Sequence, residues 1–398
     1  MNRSRRHWIA SSIVFSAGIG CHIPFGRSAA QASWALWDRY ASETVSADGR
    51  VIEHAREDRT TSEGQAYALF FALVANDRFR FDTILGWTLD HLWINRARPP
   101  AWLWGRRQDG SWGIVDSNSA TDADLWVAYA LLEAARLWER PAYQPLGTQM
   151  LAAIRSSEIA RLANGSFLLI PGKSGFRLGE QTYLLNPSYA PVQLLRRFAR
   201  HQPGGPWQSV AANQVSLLIH SAPAGYAPDW CRFRDGTGFS VEPVKGPTGG
   251  YDAIRTYLWA GMLSPEDPSC CQLLSSLSGM AKTFAASGRV PHYVNVQTGE
   301  VFGQGPAGFS AAIYPFLVAG GHDRLAARLL AQMESDMAGQ WPALGYYDRN
   351  LLLFATGWAQ RRYGFDVGGF LQLEALPGTV ETPPVPEGQA ARTCCRSV

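Results

Sequence analysis

The chain has 398 residues, 46% of them hydrophobic and 17% charged, enough to bury a substantial core in one large domain or two ordinary ones. Its formal charge of +3 belongs to the first 32 residues, which hold Arg3, Arg5, Arg6 and Arg27 and no acid, so the remainder carries −1. A near-neutral body excludes an electrostatic case for nucleic-acid binding, and no apolar run is long enough for a stable membrane span.

In chain order, the first element is an address. A basic start, an apolar run from Trp8 to about Gly20 and Ala30-Gln31-Ala32 before Ser33 read as a secretory signal at 1–32, cleaved near Ala32. The expected destination is the periplasm or the medium. The Ser4-Arg5-Arg6 segment also resembles a twin-arginine signal, so the export route stays open, and Cys21 fits a lipid-attachment site poorly. The five cysteines that remain, Cys231, Cys270, Cys271, Cys394 and Cys395, show no CxxC or Cys/His spacing, so neither a disulfide framework nor a metal site is expected.

From Ser33 onward apolar residues recur at helical steps between Gly/Pro/Asn loops. Helices are predicted at 34–44, 63–76, 78–95, 121–139, 143–162, 188–200, 207–220, 250–263, 269–286, 308–319, 322–335 and 344–363. Within 121–139, Leu125, Ala128, Leu131, Leu132, Ala135 and Trp138 form the buried stripe. A short hairpin is predicted at 229–242 around Asp235-Gly236. The fold class is all-α, a single domain over 33–376. The proline-bearing stretch 377–398 has no core pattern and is expected to be disordered.

Three carboxylates carry the chemical argument, each with an ordinary alternative. Glu63, in Thr-Thr-Ser-Glu-Gly-Gln at 60–65, completes a capping box with Thr60, or is a desolvated acid at a helix mouth near Tyr67. Asp252 lies three residues before Arg255, which either pairs with it on a surface or holds it ionised in a site. Asp122 and Asp124 suit a helix N-terminus, and their DxD spacing alone is a weak metal signal. The 15 Trp are either core filler or the lining of a sugar groove.

Together these segments resemble glycoside hydrolase family 8. The family signature around its active-site Asp stands here as Ala120-Thr121-Asp122-Ala123-Asp124 and runs down the helix to Trp138, with Val127 the one departure. TTSEGQAYALF, PAWLWG, DSNSATDAD, LIPGK, NPSY, PDW, YDAIRTYLW and GPAGFSAA follow in the family's order and cover most of residues 35–365. The resemblance implies an (α/α)6 barrel, six helical hairpins around a common core, with the substrate cleft across helix N-terminal ends.

It also implies endo-acting, inverting hydrolysis of β-1,4-glucan, serving bacterial cellulose synthesis. Glu63 would be the general acid, Asp252 the general base and Asp122 a binder of the distorted sugar at the cleavage point. An inverting pair calls for carboxyls roughly 6.5–9.5 Å apart. Tyr189 and Arg255 would complete the centre. Trp102, Trp104, Trp112 and Trp230 would stack sugars, and Asn118 and Tyr251 join them as substrate-binding candidates. On this reading Thr60 or Ser62 caps the helix while Glu63 points into the cleft. No metal or cofactor is called for; the partner is a glucan chain, with a cellulose synthase complex as its setting. A family 8 xylanase, chitosanase or mixed-linkage glucanase, and a non-catalytic glucan-binding component, remain the alternatives.

Overall fold

A computed structural model of the chain describes residues 34–373. The expected signal at 1–32 and tail at 377–398 lie outside the described residues. Thirteen α-helices run through the described part: α1 (Ala35–Thr44), α2 (Ser62–Val74), α3 (Arg78–His91), α4 (Thr121–Leu137), α5 (Tyr143–Ser157), α6 (Val192–His201), α7 (Trp207–His220), α8 (Ile254–Met262), α9 (Cys270–Ser276), α10 (Gly279–Ser287), α11 (Ala307–Ala319), α12 (Asp323–Gln340) and α13 (Tyr346–Ala359).

Their burial sorts them into two rings. Helices α2, α4, α8, α11 and α13 carry apolar residues on nearly every face and are buried almost throughout. A helix without a polar face needs neighbours all round. With α6 they form the inner ring, while α3, α5, α7, α9 and α12 pack outside and α1 sits beside α13. The first and last helices thus close an (α/α)6 barrel. Its axis is filled by aromatics in edge-to-face contact, among them Phe71 with Phe354 at 4.6 Å and Phe70 with Trp126 at 4.8 Å. Trp37, Trp93, Trp126, Trp207 and Trp341 are fully buried, so for these five core filling is the right reading. Gly261 permits the closest approach in the ring, since a Cβ there would lie 2.2 Å from the Phe316 backbone nitrogen of α11.

Strands occur only as short loop sheets. The predicted hairpin is present as Cys231–Arg234 and Gly238–Val241, on the edge of a four-stranded antiparallel sheet with 177–179 and 182–185. A second sheet pairs Thr60 with Trp104 and carries Leu103–Arg106 against Trp112–Asp116. Four predicted helices need correction. The one at 143–162 ends at Ser157, and its last residues form the strand Ile159–Arg161 instead. The one at 188–200 starts at Val192, because Pro191 holds an extended ψ of 127° after a single 3-10 turn at Pro187–Tyr189. The one at 250–263 starts at Ile254, so Asp252 sits in the turn before it. The one at 269–286 is two helices, broken where the Gly279 N–H donates to the Gly225 carbonyl at 3.0 Å.

After α13 the chain crosses the end of the barrel opposite the α4 N-terminus. Tyr129 Oη donates to the Gly369 carbonyl at 2.8 Å, and the Leu371 N–H donates to Glu133 Oε2 at 2.8 Å. Gly369 has a φ of +77°, and a Cβ would fall 1.9 Å from the Gln193 carbonyl oxygen.

Candidate active site

The site is assembled at helix N-termini around one guanidinium. Arg255, 3% exposed on the first turn of α8, donates from Nη1 to Glu63 Oε2, to Asp122 Oδ2 at 3.1 Å and to Tyr67 Oη at 3.4 Å. From Nη2 it donates to Asp252 Oδ1 at 2.9 Å and to Ser188 Oγ at 3.2 Å. Three carboxyls from α2, α4 and the turn before α8 therefore share a single cation. The bonded oxygens of Glu63 and Asp252 sit on separate nitrogens, which limits their spread to about 8 Å, two hydrogen bonds plus the fork between them.

Glu63 is not a capping-box residue. The α2 cap is Thr61, whose hydroxyl accepts the Gly64 N–H at 3.1 Å, and neither Thr60 nor Ser62 performs that task. Strand pairing with Trp104 turns Thr60 away, and its hydroxyl donates to the Val51 carbonyl at 2.7 Å. The Glu63 side chain, 22% exposed, is left for Arg255. Burial pushes its pKa up to about 7; Asp122 and Asp252 push the same way and Arg255 opposes them. A carboxyl so tuned keeps its proton near neutrality and can donate it.

Asp122 is 4% exposed, its Oδ1 accepting the Ala123 N–H at 2.9 Å. Burial raises its pKa against the pull of Arg255. Asp252 is more open, its side chain 31% exposed, and Oδ2 accepts the Trp230 indole N–H at 3.0 Å. Its backbone is fixed by a residue that motif reading left without a role. Asp229 Oδ1 accepts N–H groups from Gly250, Asp252 and Ala253 at 2.8, 3.0 and 2.8 Å. The signal was Pro228-Asp229-Trp230, but its partners lie more than 20 residues downstream. Burial and the neighbouring Asp252 raise Asp229 to about 6 despite those three donors.

Tyr189 belongs to this centre: Arg255 stands over its ring at 5.5 Å, and Trp230 meets it edge-on at 5.9 Å. Trp230 in turn lies parallel to Phe176 at 6.0 Å. Tyr251 is 46% exposed, flanked by His292, Phe309 and Tyr347. Tyr347, which no spacing flagged, donates to the Tyr251 carbonyl at 2.5 Å and faces Arg255 at 5.9 Å. Trp102 is half-buried and joins its backbone to both flanks, its N–H to the Asn118 carbonyl and its carbonyl to the Ser62 N–H.

Trp104, Trp112 and Asn118 make their contacts with other neighbours. Trp104 is packed edge-on to Trp87 and stacked on Trp112 at 5.2 Å, with Arg50 over both rings, while Trp112 remains 45% exposed. Asn118 uses its amide internally: Nδ2 donates to the Ser174 carbonyl and Oδ1 accepts the Ser119 and Ser174 N–H groups. The DxD pair is split between two environments, Asp122 on Arg255 and Asp124 against Glu158. Among the described residues no group of three His, Cys, Asp or Glu side chains is placed to hold a metal ion, and no helix is long and apolar enough to cross a membrane.

Residues 19–361 match the family model of glycosyl hydrolases family 8. The chain belongs to glycoside hydrolase family 8. It is 45% identical over 364 residues to an endoglucanase of Xanthomonas axonopodis pv. citri (strain 306), covering 89% of this chain and 94% of that one. Against an endoglucanase of Escherichia coli (strain K12) it is 39% identical, covering 86% and 91%. The crystal structure of an endo-1,4-D-glucanase from Vibrio fischeri ES114 superposes with a TM-score of 0.82 at 39% identity, covering 86% of this chain and 99% of that one. The family 8 assignment makes the chain a glycoside hydrolase.

Proposed function

We propose that this family 8 enzyme cleaves β-1,4-glucosidic bonds within glucan chains, with Glu63 as general acid and Asp252 as general base of an inverting hydrolysis. The observation that carries the reading is the convergence of Glu63, Asp122 and Asp252 on Arg255, with Glu63 tuned to about 7 while Asp252 stays partly open to solvent. Glu63 protonates the leaving oxygen. Asp252, held by Trp230 and Arg255, takes a proton from the water that attacks the opposite face of the sugar. Asp122 binds hydroxyls of the distorted ring, contacts that tighten at the transition state. Trp230, Tyr189 and Tyr251 offer aromatic surface to the sugars on either side.

The spread of about 8 Å allowed by one guanidinium spans both inverting and retaining geometries, so the product anomer is the deciding measurement. Proton NMR of fresh cello-oligosaccharide hydrolysis should show the α-anomer first; β-anomer first overturns inversion. Release of new ends from carboxymethylcellulose, with little from xylan or chitosan, is the expected substrate result. The proposed setting is outside the cytoplasm, beside a cellulose synthase whose emerging chain is the substrate. A mature N-terminus near Ser33 and co-purification with the synthase test those two points separately.

A further inference from the structure

Behind Asp122 lies a second pair of acids that the acid–base reading leaves without a task. Asp124, in the first turn of α4, and Glu158, just past the end of α5, are both 0% exposed, and their carboxyls lie within hydrogen-bonding reach of each other. Among the described residues no other group donates to either oxygen of Asp124 or to Oε2 of Glu158. Glu158 Oε1 accepts from Ser119 Oγ at 2.5 Å, and the nearby Thr121 hydroxyl donates to the Ile170 carbonyl at 2.7 Å. Asp122 is the other acid facing the pair. Lys173 is the cation facing Asp124, but its ammonium donates to the Ser117 carbonyl. Two ionised carboxylates in contact and short of donors would be strongly disfavoured, whereas one proton between them makes a charge-assisted hydrogen bond.

We infer that Asp124 and Glu158 share one proton and serve as a positioning pair for Asp122, a role that rests on the proposed place of Asp122 in the cleavage subsite. The pair lies where three segments are tied together. Ser119, which donates to Glu158, accepts the Lys173 N–H at 2.9 Å; the Ile170 N–H donates to the Glu158 carbonyl at 2.8 Å; the Thr121 N–H donates to the Pro171 carbonyl at 3.0 Å. Loops 117–120 and 170–174 are thereby fastened to the turn of α4 that presents Asp122 to Arg255. Burial raises both carboxyls, and the charge of Glu158 raises Asp124 further.

The test counts protons before it measures turnover. An unfolded chain gives up carboxyl protons near pH 4, so a proton retained by the folded pair makes the folding constant fall by up to about tenfold per pH unit above that. Urea unfolding of the full chain between about pH 5 and 8 reads this slope. Asp124→Asn and Glu158→Gln each give the remaining carboxylate a permanent N–H donor, and each should remove one proton's worth of slope relative to the parent. A slope unchanged in both overturns the shared proton. For positioning, Asp124→Ala should lower kcat by about 10- to 100-fold with KM little changed, and Asp124→Asn should restore most of it. Where Asp124→Ala does not fold, Ser119→Ala removes the donor to Glu158 together with the acceptor of the Lys173 N–H and should lower kcat by about three- to tenfold. Parental kcat in folded Asp124→Ala or, in its place, in folded Ser119→Ala overturns positioning. The pH slope is indifferent to which residue is the general acid, so failure of the proposed mechanism and failure of the pair give different results.

Discussion

Helix α4 carries a buried acid towards each end, and the two are treated in opposite ways. Glu133 is 0% exposed and accepts four donors: Arg136 Nε and Nη2 at 3.1 and 2.5 Å, Arg197 Nε at 2.6 Å and the Leu371 N–H. Two guanidiniums serve one carboxylate there. About 16 Å away along the helix, Asp122 shares one guanidinium with Glu63 and Asp252. An acid with donors on both of its oxygens is anchored by its partners. A cluster short of positive charge disfavours full ionisation, and burial with the neighbouring Asp122 and Asp252 pushes Glu63 up to about 7.

The sharpest break between the two ends comes from neutral isosteres. Glu63→Gln should lower kcat on carboxymethylcellulose by at least about 1,000-fold and leave the melting temperature unchanged or higher. Glu133→Gln should keep the turnover of folded molecules and lose about 3 kcal/mol of stability, because it strands the buried Arg197 guanidinium without a charged partner. A Glu133→Gln protein that is stable but inactive would erase the contrast. Asp252→Asn should cost about 100- to 1,000-fold in kcat, measured with the same substrate. Arg255→Lys keeps the charge but cannot fork to acids from three elements, and kcat should drop by about 10- to 100-fold.

Glu63 also sets a pH dependence. The acid form is lost as pH rises through about 7, so kcat should fall on the alkaline side with a midpoint near there. Its folded pKa lies above the unfolded value near 4.5, so its contribution to stability is complete below about pH 4.5 and disappears through about pH 7. Glu63→Gln should flatten that part of the stability profile. The smallest effect belongs to the helix that presents Glu63: Thr61→Ala should cost about 1 kcal/mol by urea unfolding, with Thr60→Ala acting instead through the Val51 contact.

Helices were legible because burial imposes a 3.6-residue period whatever the tertiary context, and the acids were legible because a family signature carries them. What escaped was contact between distant segments. Arg255 reaches Glu63 across 192 residues and Asp122 across 133, and no local spacing encodes either. Thr60, Thr61 and Ser62 offer three adjacent hydroxyls, and only the sheet with Trp104 decides which one caps. Trp104 read as a sugar platform because indole rings look alike in a sequence, but Trp112 and Arg50 already lie against it. Asp229 stood within the PDW segment without a role and Glu158 carried no signal of its own, since the partners of both come from other loops.

The strap that crosses the barrel floor bears on how this catalytic module can be excised. The family match stops at residue 361, yet Gly369 and Leu371 supply the ties to Tyr129 and Glu133 beyond it. A fragment trimmed to 361 would leave Arg136 and Arg197 facing Glu133 without the Leu371 N–H, on an unplugged floor. An excised module should therefore keep the chain at least through Leu371, so that both ties across the floor are retained.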